Sequence, residues 1–497
     1  NSLLLMAGVA VGAGSIGITT AWLTSMYRFP GRRLFIWALL LPLAFPAYIL
    51  AYTYTGMLEP AGPVQDWIRV TFDLGYGEYW FPEIRSIGGA MVMLSLVLYP
   101  YVYLLARAAF LEQSVCALEA SRSLGCGPWR SFFSVALPLA RPAIVVGLSL
   151  ALMETLADFG TVDYFGVSTF TTGIFRTWYG LYDEVAAAQL AAVLMLFVFS
   201  LILLERWSRR QARYHHTTNR YQALPEVQLG RFSAWLATTA CLLPLLFGFL
   251  LPVGQLSLWA FQTWEKMVDA QFYTLAANSF LLAGSAAVAA LFTALLLGYG
   301  KRLHPTRWLR ALVQMAGMGY AIPGMVIAIG VLIPFGWLDN TLDGWMRSQF
   351  GFSTGLLFSG TIFILLFAYL VRFLTVSLQT VEAGLGRIKP SMDEAAWSMG
   401  ETRTGTVRRI HLPLMRGSLL TALLIVFVDV LKELPATLVL RPFNFNTLAV
   451  RTYELASDER LADASSAALT IVLVGIIPVI LLSITIAHSR PGGALNE

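Results

Sequence analysis

Eleven runs of mostly apolar residues dominate this chain, and each is long enough to cross a lipid bilayer. A spanning helix needs about 20 such residues, and inside lipid a helix satisfies its own backbone hydrogen bonds. The composition agrees, because 57% of the residues are hydrophobic and only 13% are charged. We therefore predict an all-α polytopic membrane protein with spans near residues 1–24, 34–56, 87–111, 142–164, 186–204, 233–259, 277–300, 308–334, 356–378, 417–440 and 466–487.

The chain also repeats itself. Glu119-Ala120-Ser121-x-x-x-Gly125 recurs 275 residues later as Glu394-Ala395-Ala396-x-x-x-Gly400, and a Leu-Pro pair follows each copy at the same spacing. The same offset matches Arg141 with Arg416, Thr172 with Thr447, Arg176-Thr177 with Arg451-Thr452, and Asp183-Glu184 with Asp458-Glu459. Upstream, an offset of 277 residues matches Asn1-Ser2 with Asn278-Ser279 and Pro46 with Pro323.

An internal repeat of this kind predicts two structurally equivalent halves, with the substrate path of a transporter at the interface between them. We place the halves at residues 1–231 and 232–497. The first half has five visible spans and the second has six, since the counterpart of 233–259 is missing. Because the chain does not begin with Met, we expect a leading helix that has been cut off or lies outside this numbering.

Basic residues indicate the orientation, because Lys and Arg accumulate in cytoplasmic loops. Alternate loops hold most of them, including Arg28, the cluster from 206 to 231, residues 301–310 and both Glu-Ala loops. These loops are predicted to face the cytoplasm, and residue 1 to face outside. The overall charge of +5 follows from this topology, so nucleic acid is not an expected partner.

Several kinds of chemistry lack the residues that they need. Cys116, Cys126 and Cys241 show no metal-binding spacing, and all five histidines lie on the predicted cytoplasmic side. Gly300-Lys301 is not part of a phosphate-binding loop, because Arg302 follows it and Leu295 occupies the position that would have to be Gly. We expect no catalytic residues, metal site or cofactor in this chain, and no ATP hydrolysis by it.

The two Glu-Ala loops are predicted to be docking elements. Each combines a helix-compatible run, a Gly that permits a sharp bend, a basic second run and a Leu-Pro pair at which a helix can start. A single copy would be better explained as an ordinary amphipathic connector. Two copies with identical spacing favour docking, because an unconstrained loop tolerates changes in length.

On these residues the chain resembles the permease subunits of bacterial binding-protein-dependent ABC importers. The fused form resembles the ferric iron permeases in particular, through the segments Asp158-Phe159-Gly160-Thr161-Val162-Asp163-Tyr164-Phe165-Gly166 and Lys432-Glu433-Leu434-Pro435-Ala436-Thr437-Leu438-Val439-Leu440-Arg441-Pro442-Phe443. The first loop departs from the Glu-Ala-Ala pattern only at Ser121, which replaces one small residue by another.

The resemblance implies a type I importer fold in the bacterial inner membrane and import of ferric iron by alternating access. It also implies two ATP-binding subunits on the cytoplasmic side, with ATP and Mg bound there, and an external substrate-binding protein. Membrane lipid surrounds the chain. The coupling residues would be Glu119, Ala120, Ser121, Gly125, Glu394, Ala395, Ala396 and Gly400.

Four acidic residues in predicted spans are candidates for the translocation pathway. Glu154 and Asp158 match Asp429 and Glu433, and each pair shares one helix face. Ionisable groups at membrane depth are costly and usually face a cavity or a partner. With Lys432 as the one opposing cation, their excess negative charge would favour a cationic solute. In the alternative, they hold helix ends or pair with Arg176, Arg441 and Arg451.

The outer segment 57–86 combines aromatic and acidic residues, and part of it is a candidate contact for the binding protein. Two alternatives to ferric import stay open at this point. The first is an ABC permease for another solute, such as a polyamine, thiamine or an oxyanion. The second is an ion-coupled secondary transporter, which would use the acids as ion sites but would not need two matched docking loops.

Overall fold

The computed structural model describes residues 1–112, 127–211, 227–304, 306–386 and 388–488, and most of them are helical. Up to residue 211 the helices are α1 Ser2–Met26, α2 Arg32–Ala38, α3 Ala47–Leu58, α4 Pro63–Phe72, α5 Ile87–Glu112, α6 Pro128–Ser131, α7 Leu137–Ala157, α8 Gly160–Tyr164, α9 Phe170–Tyr179 and α10 Glu184–Gln211. Strands β1 Tyr27–Arg28 and β2 Val227–Gln228 form a short parallel pair.

The later helices are α11 Arg231–Leu245, α12 Leu251–Met267, α13 Ala270–Leu303, α14 Arg307–Ala316, α15 Gly324–Phe350, α16 Ile362–Gly386, α17 Pro390–Ser398, α18 Arg403–Thr406, α19 Leu412–Leu431, α20 Pro435–Leu440, α21 Leu448–Ser457 and α22 Leu461–His488. Short 3-10 turns cover Leu41–Ala44 and Gly319–Ala321, and π-turns cover Phe132–Ala136, Leu246–Leu250 and Val407–His411.

The predicted fold class is confirmed. In the described ranges, 10 helices are long and apolar enough to span a membrane, and the bent pair Arg32–Ala44 and Ala47–Phe72 brings the number to 11. The chain is a multi-pass membrane protein of helices, with only two strands of two residues each in the described part.

Two predicted spans are broken where a proline stands. The predicted span 34–56 divides at Pro46, and the flanking segments form an angle of 91°. The predicted span 308–334 was wrong, because a spanning helix begins only after Pro323 and extends to residue 350. Both prolines have an extended ψ and precede the first residue of a new helix. Proline fixes φ and lacks an N–H, so it starts a helix more easily than it continues one.

The described chain forms two compact units. One contains Asn1–Thr263 and Leu455–Val479, and the other contains Trp264–Glu454 and the part of α22 from Ile480 onward. These limits differ from the repeat boundaries, since most of α11 and α12 and much of α22 pack with the first unit. The division into halves at residue 231 stays a prediction about the repeat.

Each unit has a core of three packed helices. In the first unit, α1, α5 and α7 pack together. A Cβ at Gly17 would lie 2.7 Å from Val102 Cβ, so α1 and α5 approach closely there because Gly has no side chain. In the second unit, α13, α16 and α19 pack together. Their apolar cluster contains Ala294, Val313, Leu374, Leu378, Val381, Leu385, Ile388 and Met415.

Matched hydrogen bonds fix the first core helix in each unit. Asn1 Nδ2 donates to Ser168 O at 3.0 Å, and Ser2 Oγ accepts from the N–H of Phe170 at 3.2 Å. In the second unit, Asn278 Nδ2 donates to Asn446 O at 3.3 Å, and Ser279 Oγ accepts from the N–H of Leu448 at 2.8 Å. The repeated Asn-Ser pair therefore holds the start of α9 in one unit and the start of α21 in the other.

These contacts correct the downstream register of the repeat. Helices α9 and α21 begin at Phe170 and Leu448, and Thr169 and Thr447 cap them. Thr447 therefore corresponds to Thr169 and not to Thr172, and the predicted matches at residues 172–184 were wrong. Residues 441–447 separate α20 from α21, whereas 165–169 separate α8 from α9, and α20 is itself one residue longer than α8. The offset between the halves therefore grows from 275 to 278 residues.

Replacement of Ser279 by Ala is expected to destabilise the second unit. The change would leave the buried N–H of Leu448 without its acceptor, which costs about 1–3 kcal/mol. We expect a lower thermal unfolding midpoint of the purified protein in detergent. The matched control is Ser285→Ala, because that half-buried hydroxyl donates to a carbonyl of its own helix. Equal midpoints for the two variants would show that the Ser279 contact is not structural.

Candidate functional site

The second Glu-Ala loop consists of two short helices joined at a glycine. Helix α17 contains Glu394, Ala395 and Ala396. Gly400 follows with a φ of +86°, in the left-handed region that favours Gly. The N–H groups of Gly400 and Glu401 donate to carbonyls of α17, which closes the helix end. The bend that the sequence predicts at this glycine is confirmed.

The surface of this loop combines charged and apolar side chains. Glu394 and Ala395 are exposed, whereas Ala396 is fully buried. Three large apolar side chains of the same segment are exposed, namely Met392, Trp397 and Met399. An apolar patch with a charged neighbour, located between spanning helices rather than within one, is typical of a protein contact. The docking role of the loop stays a prediction.

The first Glu-Ala loop lies outside the described residues, so Glu119, Ala120, Ser121 and Gly125 are not placed. The description resumes at Gly127, and the elements that follow match those of the second copy. In both halves a short helix, a π-turn and a long spanning helix come in that order.

Two of the four candidate acids hold the start of a short helix. Asp158 Oδ2 accepts from the N–H of Val162 at 3.2 Å, and Glu433 Oε2 accepts from the N–H of Thr437 at 3.1 Å. Both bonds span four residues, and they occur at matched positions of the two halves. A carboxylate at a helix start is favoured because it pairs with free N–H groups and with the positive end of the helix dipole. This geometry fits the alternative in which the acids hold helix ends.

Glu433 also has a buried cationic partner. Arg372 Nη1 lies 3.1 Å from Glu433 Oε1, and both side chains are buried. Gly324 packs against the pair, since a Cβ there would come within 2.2 Å of Arg372 Nη1. Lys432 is therefore not the one cation that opposes the candidate acids, and that prediction was wrong. The signal was present, because Arg372 lies inside the predicted span 356–378.

The remaining acids differ in their neighbours. Asp429 Oδ1 lies 3.0 Å from Lys432 Nζ, one turn away on the same chain segment. In the first unit Glu154 and Asp158 are half-buried, and neither forms an ion pair within the described ranges. Both candidate acids of the second half therefore have a cationic partner, whereas those of the first half have none in the described ranges.

The repeat explains this difference at the level of sequence. At the 275-residue offset, Val97 stands where Arg372 would be, and Ala157 stands where Lys432 would be. Both cations are thus specific to the second half. The three arginines named in the alternative pair elsewhere: Arg176 with Asp163, and Arg441 and Arg451 with Glu454. That part of the alternative was wrong.

The candidate acids do not form a metal cage. Across the described ranges, there is no group of three or more His, Cys, Asp or Glu side chains placed to hold a metal ion. Pairs of carboxylates with helix-capping or ionic partners can bias the local potential toward cations. Such an arrangement permits release of the ion, which a transport path requires.

The outer segment 57–86 is tied down by ion pairs. Arg85 Nε lies 2.6 Å from Glu59 Oε1, and Arg85 Nη2 lies 2.6 Å from Glu459 Oε1. Arg85 thus joins this segment to the turn before α22, within the first unit. Its exposed aromatic side chains are Trp67, Phe72, Tyr76 and Trp80. The contact with a binding protein stays a prediction.

Comparison with known proteins identifies a family. The model of the binding-protein-dependent transport system inner membrane component matches residues 13–212 and again residues 286–491. The chain is similar to the Fe(3+)-transport system permease protein FbpB 2 of Haemophilus influenzae, with 28% identity over 97% of this chain and 88% of that protein. It is also similar to a putative ferric transport system permease protein, FbpB 1, of the same organism, with 24% identity over 88% of this chain and 69% of that protein.

A third relative matches one part of the chain. The molybdenum transport system permease protein ModB of Escherichia coli is 29% identical over 207 residues, which are 40% of this chain and 86% of that protein. The similarity to the two iron permeases extends over both repeats, whereas the similarity to ModB has the length of a single repeat.

Replacement of Arg372 by Met is expected to destabilise the second unit strongly. Removal of one partner leaves Glu433 buried and unpaired, which typically costs about 3–5 kcal/mol. The thermal unfolding midpoint in detergent should fall, and the double variant Arg372→Met with Glu433→Gln should recover part of the loss. The control is Arg347→Gln, which removes the ion pair of an exposed arginine with Asp343. That carboxylate keeps the hydrogen bonds from Ser353 and Thr354, so the change should have little effect. A midpoint unchanged by Arg372→Met would show that the ion pair contributes no stability.

Proposed function

Because the chain belongs to the family of binding-protein-dependent transport system inner membrane components, we propose that it is the permease subunit of an ABC importer for ferric iron. The observation that carries the choice of solute is the similarity to an Fe(3+)-transport permease over 97% of the chain. The membrane acids support a cationic solute and argue against an oxyanion. A polyamine or thiamine permease is the alternative within the same class.

The chain would not be the enzyme of this importer. ATP and Mg would bind to two separate subunits on the cytoplasmic side, since the sequence has no phosphate-binding loop of its own. A separate binding protein would deliver iron from outside. Closure of the ATP-bound subunits would pull on both Glu-Ala loops and move the attached helices as rigid bodies, which alternates access to the two sides.

The unpaired acids of the first half would attract the cation. Glu154 and Asp158 have no cationic neighbour in the described ranges, whereas Asp429 and Glu433 are neutralised by Lys432 and Arg372. A net negative group acts on an approaching ion, and a neutralised pair acts far less. We therefore assign the cation-attracting role chiefly to Glu154, because Asp158 also holds a helix start.

Glu154→Gln is expected to lower iron uptake more than Asp429→Asn combined with Lys432→Met does, and the double variant Glu154→Gln with Asp429→Asn is expected to lower uptake at least as much as Glu154→Gln. The reason is that Glu154→Gln removes an unpaired negative charge, whereas the combined change removes Asp429 together with the cation that neutralises it and keeps the net charge constant. The measurement is uptake of radiolabelled ferric iron, with and without a chelator, in cells that lack the native gene. Amounts of the permease in the membrane serve as the control.

Full uptake by the double variant would assign these acids to structure alone. Absence of labelled iron uptake by the unmodified permease, together with uptake of another cation, would overturn the choice of solute but keep the transporter class.

Gly125→Trp together with Gly400→Trp is expected to abolish coupling to the ATPase. At Gly400 the left-handed backbone is unfavourable for any other residue, and a bulky side chain would also obstruct a groove on the partner. We expect loss of the ATPase from a detergent pull-down and loss of uptake, with a milder effect for either single change. Gly417→Trp is the control, because it changes a spanning helix where a Cβ meets nothing.

Normal association and normal uptake in the double variant would reject docking by these loops. That outcome would favour the ion-coupled secondary transporter, which needs no ATPase.

A further inference from the structure

Four polar side chains, two of them buried and two half-buried, form a cluster at the second Glu-Ala loop. Asp393, which immediately precedes Glu394, lies at the centre. Arg302 Nε and Nη2 donate to Asp393 Oδ2 at 3.0 and 2.8 Å, and His411 Nε2 lies 2.6 Å from Asp393 Oδ1. His411 Nδ1 lies 3.0 Å from Tyr299 Oη, and the two rings are stacked with centroids 5.6 Å apart. We call Tyr299, Arg302, Asp393 and His411 the Asp393 cluster.

The Asp393 cluster joins the loop to all three core helices of the second unit. Tyr299 and Arg302 belong to α13, and His411 is the residue before α19. Arg302 also donates to the carbonyl of Leu385 in α16 at 2.9 Å and to that of Ile388 at 3.1 Å. Helix α17 is thus linked directly to α13 and to the turn before α19, and through Arg302 to α16. These helices share the apolar cluster that contains Leu385 and Ile388.

The carboxylate and the imidazole of the cluster are buried, so the loss of any one of their contacts is costly. Asp393 is 9% exposed and His411 is 3% exposed. Water screens such groups poorly, so their mutual attraction is strong and the loss of one partner leaves the others unsatisfied. A buried charge network has one well-defined geometry, and it therefore fixes the orientation of α17 on the core.

The first half lacks these residues. At the repeat offsets, Leu118 stands for Asp393, Ala136 for His411, Trp22 for Tyr299 and Ser25 for Arg302. Leu118 lies outside the described residues. Trp22 instead packs on the rings of Phe132 and Phe110, with centroids 4.9 and 5.2 Å apart. At the matched positions, the polar residues of this cluster are therefore particular to the second half.

We propose that the Asp393 cluster is a positioning device that transmits the motion of the ATPase from the second Glu-Ala loop to the helices of the second unit. This inference rests on the proposed function of the loops. In this role its residues act through α17 and not on the solute or the nucleotide. The residues of the Asp393 cluster are replaced at the matched positions of the first half, so this particular device serves the second loop.

The test uses the full transporter in proteoliposomes with its ATPase and binding protein. Asp393→Asn and His411→Gln are expected to leave association with the ATPase unchanged but to lower the solute transported per ATP hydrolysed by about tenfold. That factor corresponds to the loss of one hydrogen bond to a charged group. A purely structural role would lower the amount of folded protein and leave the ratio of transport to hydrolysis constant.

A matched control exists on the same helices. Lys301 Nζ pairs with Glu382 Oε1 at 2.7 Å, which links α13 to α16 without contact with α17. Lys301→Gln should keep the ratio of transport to hydrolysis. A second variant, Asp393→Leu with His411→Ala and Arg302→Ser, installs the residues of the first half and guards against misfolding, because apolar replacement of a buried network is often tolerated.

An unchanged ratio in folded Asp393→Asn and in the triple variant would overturn the inference. Failure of the unmodified permease to bind any ATPase would instead overturn the proposed function, so the two failures are distinguishable.

Discussion

The hydrocarbon core of a bilayer offers no water to a free backbone N–H, and this constraint governs how the chain can interrupt a helix. After both α7 and α19 the chain breaks and starts a short helix, and in each case a carboxylate supplies the missing acceptors. Asp158 and Glu433 are therefore required by the fold at the positions where they occur. A cationic solute can be attracted only by the negative charge that helix capping and ion pairing leave uncompensated. The neighbours of these acids therefore determine the attraction more than the number of acids does.

Much of the architecture was predictable, because a run of about 20 apolar residues is itself the signal for a span. The breaks at Pro46 and Pro323 were missed because hydropathy averages across a single proline. The predicted residue matches between the two halves were wrong after α8, because the loops there differ in length and have no apolar pattern that could align them. At the site, the bend at Gly400 was predictable because a sharp bend needs a left-handed backbone conformation, and the sequence shows this need locally as a glycine. The Arg372–Glu433 pair was not, since it joins residues 61 apart through tertiary packing.

The two halves share a backbone plan but differ in their polar interiors. The Asn-Ser anchors and the four-residue carboxylate caps recur in both units. The cations Arg372 and Lys432 and the Asp393 cluster occur in the second half, where the first has small or apolar residues. The same difference explains why residue 324 is a glycine: Arg372 occupies the space that a Cβ at this position would need. Its counterpart at the 277-residue offset is Ala47, in the half that has no such arginine.

The joining of both halves in one polypeptide has an evolutionary consequence. In a pair of identical half-length subunits, every substitution appears twice, so a residue that strengthens one loop or neutralises one acid changes both sides at once. A gene that encodes both halves removes this linkage. Arg372 and its companion Gly324 could then be selected together on one side without altering the other. The charge asymmetry between the halves is a form of specialisation that a symmetric dimer could not acquire.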